Sequence, residues 1–225
     1  MSLNEKIFKI RKSFKKDITI KFGNIFSEEG FKVIPFNEYF DTLVDEEVVS
    51  SSTLHGIFLN NYVDDINELE GKLLKDLKLL GVPAGINFNR NKGKKQRYGL
   101  GTCIRFYDYL LVAFSRFDKN HKAYLSFKDY KECMRVMWDN ILHLYSNPEA
   151  HIILPVMGSG VTQISNKYLD QENLNNTYSI LINEMLRPIK EEFFQSVKML
   201  KAIRITILIH DKLKDKINLD ELKIY

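Results

Sequence analysis

The run IILPV at residues 152–156 constrains this chain more than any other stretch. Unbroken apolarity marks a strand covered on both faces, whereas a half-wet strand alternates. Residues 203–209 read as a second such strand, apolar at Ile203, Ile205, Ile207, Leu208 and Ile209. Covering both faces of a sheet takes two further layers, and helical patterns lie between the strands. Residues 66–80 place Ile66, Leu69, Leu73, Leu77 and Leu80 at three- and four-residue steps. Residues 126–145 put Phe127, Tyr130, Met134, Met137, Ile141 and Leu144 on one stripe, and residues 173–186 turn Leu174, Tyr178, Leu181 and Met185 inward. Strands alternating with helices predict an α/β protein, a three-layer α/β/α sandwich around a mixed central sheet.

Shorter signals fill in the chain. Residues 17–25 (DITIKFGNI) alternate and predict a first strand ending near a glycine. Residues 31–35 give a second strand, and residues 102–106 and 109–114 two more around Tyr107-Asp108. The serine triplet 50–52 is the expected N-cap of a helix opening at Thr53. Gly81 and Pro83 end the 66–80 helix, and Pro188 lies just past the expected end of the 173–186 helix. The basic, glycine-containing stretch 85–99 reads as a mobile loop.

The 225 residues suit one ligand-binding domain, residues 17–225, after a basic arm, residues 1–16. The arm reads either as a solvated tail or as the stretch that follows the cytoplasmic end of a membrane helix, with Met1-Ser2-Leu3 a cloning remnant. At 44% hydrophobic and 28% charged residues the chain is globular rather than disordered. No run approaches the roughly 18 apolar residues of a membrane span. A net charge of +4 does not require a nucleic acid. The basic residues 90–97 nonetheless keep a nucleic-acid-binding module open. Cys103 and Cys133 lack metal or redox spacing and read as buried thiols in a reducing cytosol. The histidines show no metal spacing, so neither metal nor cofactor is expected.

The chemistry centres on VMGSGVT, residues 156–162. Glycines at the end of a buried strand let successive N–H groups turn toward one point, a concavity that binds phosphate. The pattern lacks the Lys-Ser/Thr of a P-loop and the third glycine of a dinucleotide fingerprint. A glycine-rich connection without a ligand explains it equally well. The helix opening near Ser51, Ser52, Thr53, Leu54, His55 and Gly56 offers a second anion site. Gly23-Asn24-Ile25 ends the first strand with a side chain able to accept from an adenine amine. Together these suit an ADP-ribose-like ligand. Three single residues stay open. Arg116 reaches a diphosphate or pairs with Asp118 or Asp129. His55 touches ligand or is a neutral helix-face histidine. Asn37 touches a ribose or caps a loop.

On these residues the chain resembles a macro domain, and more closely the divergent branch found in Thoeris antiphage effectors. Gly23-Asn24-Ile25 stands where macro domains carry Gly-Asp-Ile. IPFNEYF (34–40) stands at their Val-Asn-Ala-Ala-Asn segment, SSSTLHG (50–56) at their first phosphate loop, and Gly158-Ser159-Gly160-Val161 at their second. NEYFDT (37–42), STLHG (52–56), AFSRFD (113–118) and MGSG (157–160) carry the closer likeness, which covers residues 17–210. The resemblance implies a sensor of an ADP-ribose-derived signal made from NAD by a TIR-domain enzyme, including an amino-acid conjugate such as histidine-ADP-ribose. It implies a cytoplasmic domain that membrane helices of the full-length protein tether to the bacterial inner membrane, and self-association. The implied ligand residues are Asn24, Ile25, Asn37, Phe40, Asp41, the 51–56 loop, Arg116, and Met157, Gly158, Ser159, Gly160, Val161 and Thr162. Phe40 replaces the asparagine that macro-domain hydrolases use, which disfavours hydrolysis and leaves an ADP-ribosyl hydrolase as the alternative. Asp41 is expected to meet a cationic group on the signal.

Overall fold

The computed structural model describes residues 5–8, 18–118, 120–144, 150–166, 169, 172–190 and 203–225. They group into two compact units, residues 1–33, 141–159 and 166–225 in the first, and residues 34–140 with 160–165 in the second.

In the first unit β2 (Ile18–Gly23), β11 (Arg204–His210), β9 (His151–Pro155) and the start of β3 (Phe31–Asn37) run parallel in that order. Ile205 pairs with both Ile18 and Ile152, so the strands are in step. Ile152, Ile153 and Leu154 are fully buried, as the unbroken apolar run requires. Helix α4 (Leu174–Lys190) buries Leu181, Ile182, Met185 and Leu186. It continues through Pro188, past its expected end. The apolar stripe extends to Ile189, and packing outweighs the one hydrogen bond a proline removes in a last turn.

The basic arm also differs from expectation. Strand β1 (Glu5–Phe8) pairs antiparallel with β2. Lys6 Nζ donates to the carbonyls of Leu219, Asp220 and Leu222 at 3.0, 3.1 and 3.0 Å. Local pattern could not reveal this, because the partners lie more than 200 residues away. Residues 1–4, Met1-Ser2-Leu3 among them, and residues 9–17 lie outside the described residues.

In the second unit the sheet continues from β3 to β7 (Tyr109–Phe117), β8 (Ala123–Ser126) and β10 (Gln163–Ser165), with β6 (Cys103–Phe106) also on β7. β7 is antiparallel to β6 and β8, and β10 is parallel to β8, so the strand pattern is mixed. Helices α2 (Ile66–Leu80) and α3 (Phe127–Leu144) follow the periodic stretches closely, and α1 (Leu54–Asn61) follows the serine triplet. Leu69, Leu73 and Leu77 form the buried stripe of α2. Tyr130, Met134 and Met137 are fully buried on α3. Gly101 takes a left-handed φ of 86°, and a Cβ there would stand 2.8 Å from the Cys133 carbonyl oxygen. That close approach seats α3. Both cysteines are free and buried, and burial pushes each thiol pKa up.

The stretch read as a mobile loop is ordered. β4 (Pro83–Ile86) and β5 (Gln96–Tyr98) form an antiparallel ribbon, and the Asn87 N–H donates to the Lys95 carbonyl at 2.9 Å. Its anchor is a buried arginine.

Candidate functional site

Parallel register brings three strand ends of the first unit to one edge. His210 of β11 aligns with Gly23 of β2, and Leu208 aligns with Pro155 of β9. Ligands of open α/β sheets bind beyond such carboxyl ends. At β2, Asn24 caps a 3₁₀ turn, and its Oδ1 accepts from the Phe26 N–H at 3.1 Å. The oxygen expected to read adenine is therefore engaged within its own turn, while Ile25 is buried. At β9 the buried Val156 and Met157 lead into a tight turn. The Ser159 N–H and Oγ both donate to the Val156 carbonyl, at 3.2 and 2.7 Å. Gly158 takes a φ of 83°, which a side chain would strain. Beyond it the backbone is bare: a Cβ on Gly160 would meet nothing within 4 Å, and Val161 is 69% exposed.

In the second unit the segment after β3 is held by its own side chains. Asn37 Oδ1 accepts from the N–H groups of Tyr39 and Asp41, at 3.0 and 3.3 Å, and Nδ2 donates to Asp41 Oδ2 at 2.9 Å. This is the loop-capping role left open from sequence. Phe40 is fully buried at φ 51°, with its ring near Phe36 and Tyr98.

Asp41 departs from expectation most. Its carboxylate is buried beneath Arg90, which donates from Nη1 to Oδ1 at 3.1 Å and from Nη2 to Oδ2 at 2.7 Å. The Lys94 N–H adds a bond to Oδ1 at 2.7 Å. The Arg90 guanidinium also lies 3.9 Å over the Tyr39 ring. An aspartate so fully paired inside the chain does not await a ligand cation. Sequence reading missed Arg90 because it sits among four other basic residues, Lys92, Lys94, Lys95 and Arg97. The one available hint was its place in a run with no carboxylate of its own, residues 77–98.

Helix α1 begins differently from expectation. Thr53 is its N-cap, with Oγ1 accepting from the Gly56 N–H at 3.1 Å. The serine triplet precedes the cap. The Ser50 carbonyl accepts from Thr53 N–H and Oγ at 3.2 and 2.8 Å. The serine loop presses directly on the helix, for a Cβ on Gly56 would stand 2.2 Å from the Ser50 carbonyl oxygen. We expect Gly56→Ala to destabilise the fold by about 2 kcal/mol, read as a lowered urea midpoint; an unchanged midpoint contradicts the close packing.

His55 is buried, its ring 3.6 Å from that of Phe36, and its Nε2–H donates to the Asp41 carbonyl at 2.8 Å. Burial lowers its pKa to about 3 despite that hydrogen bond. Below its ordinary range the unfolded chain takes up a proton that the folded chain refuses. Stability is therefore intact above about pH 6.5 and falls toward pH 3, by up to about 1.4 kcal/mol per pH unit. Urea titrations at pH 7, 6 and 5 should show this slope, and His55→Gln should flatten it.

Arg116 faces Glu38 at 3.5 Å and Asp129 at 3.6 Å, so it pairs with Asp129 rather than Asp118. Glu38, which sequence reading passed over, is 2% exposed, and burial pushes its pKa up against the opposing field of Arg116. Among the described residues no group of three or more His, Cys, Asp or Glu could hold a metal ion. Among them too, no helix is long and apolar enough to cross a membrane.

The first unit thus ends a parallel strand set in a bare turn after β9, and the second holds a helix capped by Thr53 after a serine loop. Residues 18–199 match the family described as Thoeris protein ThsA, Macro domain. The chain belongs to that family. The Thoeris protein ThsA of Bacillus amyloliquefaciens (strain Y2) is 34% identical to this macro domain over 212 residues, 92% of this chain and 67% of that protein. Among solved structures, an Oceanobacillus iheyensis macrodomain with MES bound superposes with a TM-score of 0.50 at 11% identity, covering 92% of this chain and 90% of that one. At that identity the likeness concerns fold alone: a macro-domain α/β/α sandwich with a mixed central sheet.

Proposed function

We propose that this macro domain is the sensor of a Thoeris antiphage effector and binds an ADP-ribose-derived nucleotide signal made by a TIR-domain enzyme. Family membership supports a nucleotide of the ADP-ribose type. The observation that carries the reading is Gly160, a glycine without positive φ whose Cβ would meet nothing. The fold does not need a glycine there, whereas a phosphate approaching the backbone does. In this reading the turn Met157 to Thr162 receives phosphate beyond β9, and Asn24 and Ile25 stand at the end of β2 in the same parallel set. The residues of the second unit, the Ser51–Gly56 turn, Asn37, Phe40 and Arg116, are proposed by the resemblance alone. Tethering to a membrane and self-association belong to the same proposal for the full-length effector.

Binding without turnover is the favoured role. Phe40 is buried and apolar where a hydrolase needs a polar group. Calorimetric titration with ADP-ribose and with histidine-ADP-ribose, followed by chromatography of the ligand, tests both points. Micromolar binding with ligand recovered intact is expected. Released ribose or amino acid would establish the hydrolase instead, and absence of heat with either ligand would end the sensor reading.

A further inference from the structure

Helix α2 carries charge of opposite sign at its two ends. Residues 62–70, at its start, hold Asp64, Asp65, Glu68 and Glu70 and no lysine or arginine. Residues 77–98, from its last turn onward, hold no carboxylate. Both ends also show apolar surface to water. At the far end Leu79 is 74% exposed and Val82 65%, and Lys75 and Lys78 stand exposed beside them. At the near end the rings of Tyr62 and Tyr109 lie 6.2 Å apart, and Tyr107 is 64% exposed. The Tyr107 hydroxyl donates to Glu68 at 2.5 Å, which fixes that ring against the helix. The 15 residues of α2 hold the two ends about 20 Å apart.

Exposed apolar side chains grouped in this way mark a contact surface, and tyrosines are enriched in such surfaces. The charges beside them are unspent. Among the described residues Lys75, Lys78, Asp64 and Asp108 enter no ion pair. Charges between the two ends are paired within the chain, Lys72 with Asp76 and Glu70 with Lys94.

We propose that the two ends of α2 are the two halves of a head-to-tail interface between copies of this chain. Lys75, Lys78, Leu79 and Val82 of one copy seat on Tyr62, Asp64, Tyr107 and Asp108 of the next. Contact between like ends would set lysine against lysine or aspartate against aspartate, so only unlike ends match in sign. A lysine ammonium over a tyrosine face, with a carboxylate beside it, gains from both. Strand addition to the neighbouring ribbon does not compete, because β4 carries Pro83 on its edge and Gly85 at φ 97° breaks its register. A head-to-tail contact leaves one unmatched end on each terminal copy, so association proceeds to a ring or a filament. The surface is complete without nucleotide and goes beyond the sensor reading.

The test is sedimentation velocity of the whole chain, without nucleotide, over a concentration series at about 0.05 and 0.5 M salt. The mean mass should rise with concentration, and less so at the higher salt. Lys75→Glu with Lys78→Glu, and separately Asp64→Lys with Asp108→Lys, should each weaken association at least about tenfold. An equal mixture of the two variants should recover it, since both contacts are then matched in sign, and a misfolded variant would give no recovery. A chain that stays monomeric throughout, reversals that leave the mass unchanged, or a mixture that fails to recover overturns the proposal. A monomeric chain that instead sediments with phosphatidylglycerol vesicles, and ceases to do so on Leu79→Ser, overturns it in favour of a membrane surface. Nucleotide binding is read separately by calorimetry, so none of these results bears on the sensor reading.

Discussion

Asp41→Ala should cost this macro domain about 3–5 kcal/mol of stability, because it leaves the Arg90 guanidinium buried without its counter-charge. The Arg90 and Asp41 side chains are 4% and 1% exposed, so water cannot substitute for the lost carboxylate. The loss extends beyond the pair. Asn37 Nδ2 and the Lys94 N–H lose an acceptor as well. The β4–β5 ribbon loses its anchor at the end of β3. Pairing Asp41→Leu with Arg90→Met should recover most of the loss, since no orphan charge remains. Urea denaturation of the single and double variants measures both values. A single-variant loss below about 1 kcal/mol would mean the pair behaves as a surface ion pair. The same geometry removes Asp41 from direct recognition of an amino-acid conjugate. Its alanine variant should weaken ADP-ribose and histidine-ADP-ribose alike.

Gly160→Val should abolish nucleotide binding while leaving the fold intact. The side chain meets no neighbour, so the melting temperature should move by no more than about 2 °C. Its methyl groups would occupy the space over the backbone that the proposal gives to phosphate. Affinity for ADP-ribose should drop at least about 100-fold, near 2.7 kcal/mol. Equal affinity in calorimetry would remove residues 157–162 from the site. Gly158→Val is a poorer probe, because its φ of 83° penalises any side chain and mixes lost stability with lost binding.

Amphipathic period and apolar continuity are local, and the elements that depend on them were legible. The stripe Leu69, Leu73 and Leu77 located α2, and the run 152–156 located β9. Strands β8 and β10 span only four and three residues and pair with each other across about forty positions. Too few side chains alternate there to leave a pattern, and β10 exists because β8 offers it an edge. The bare turn after β9 was legible because it is made of missing side chains, at Gly158 and Gly160. The rest was obscure where it depends on partners. Asn37 and His55 were left open between a ligand and a structural role and Asp41 was expected to meet a ligand cation, yet the three are engaged with one another and with Arg90.

The amino-acid sequence alone determined the α/β class, the helices, the buried strands and the bare turn after β9, since each follows from residue type and spacing along a few turns of chain. Tertiary structure alone decided which charges are spent internally. Coulombic partners such as Asp41 and Arg90 stand 49 residues apart, and their pairing follows from burial, which no local pattern encodes.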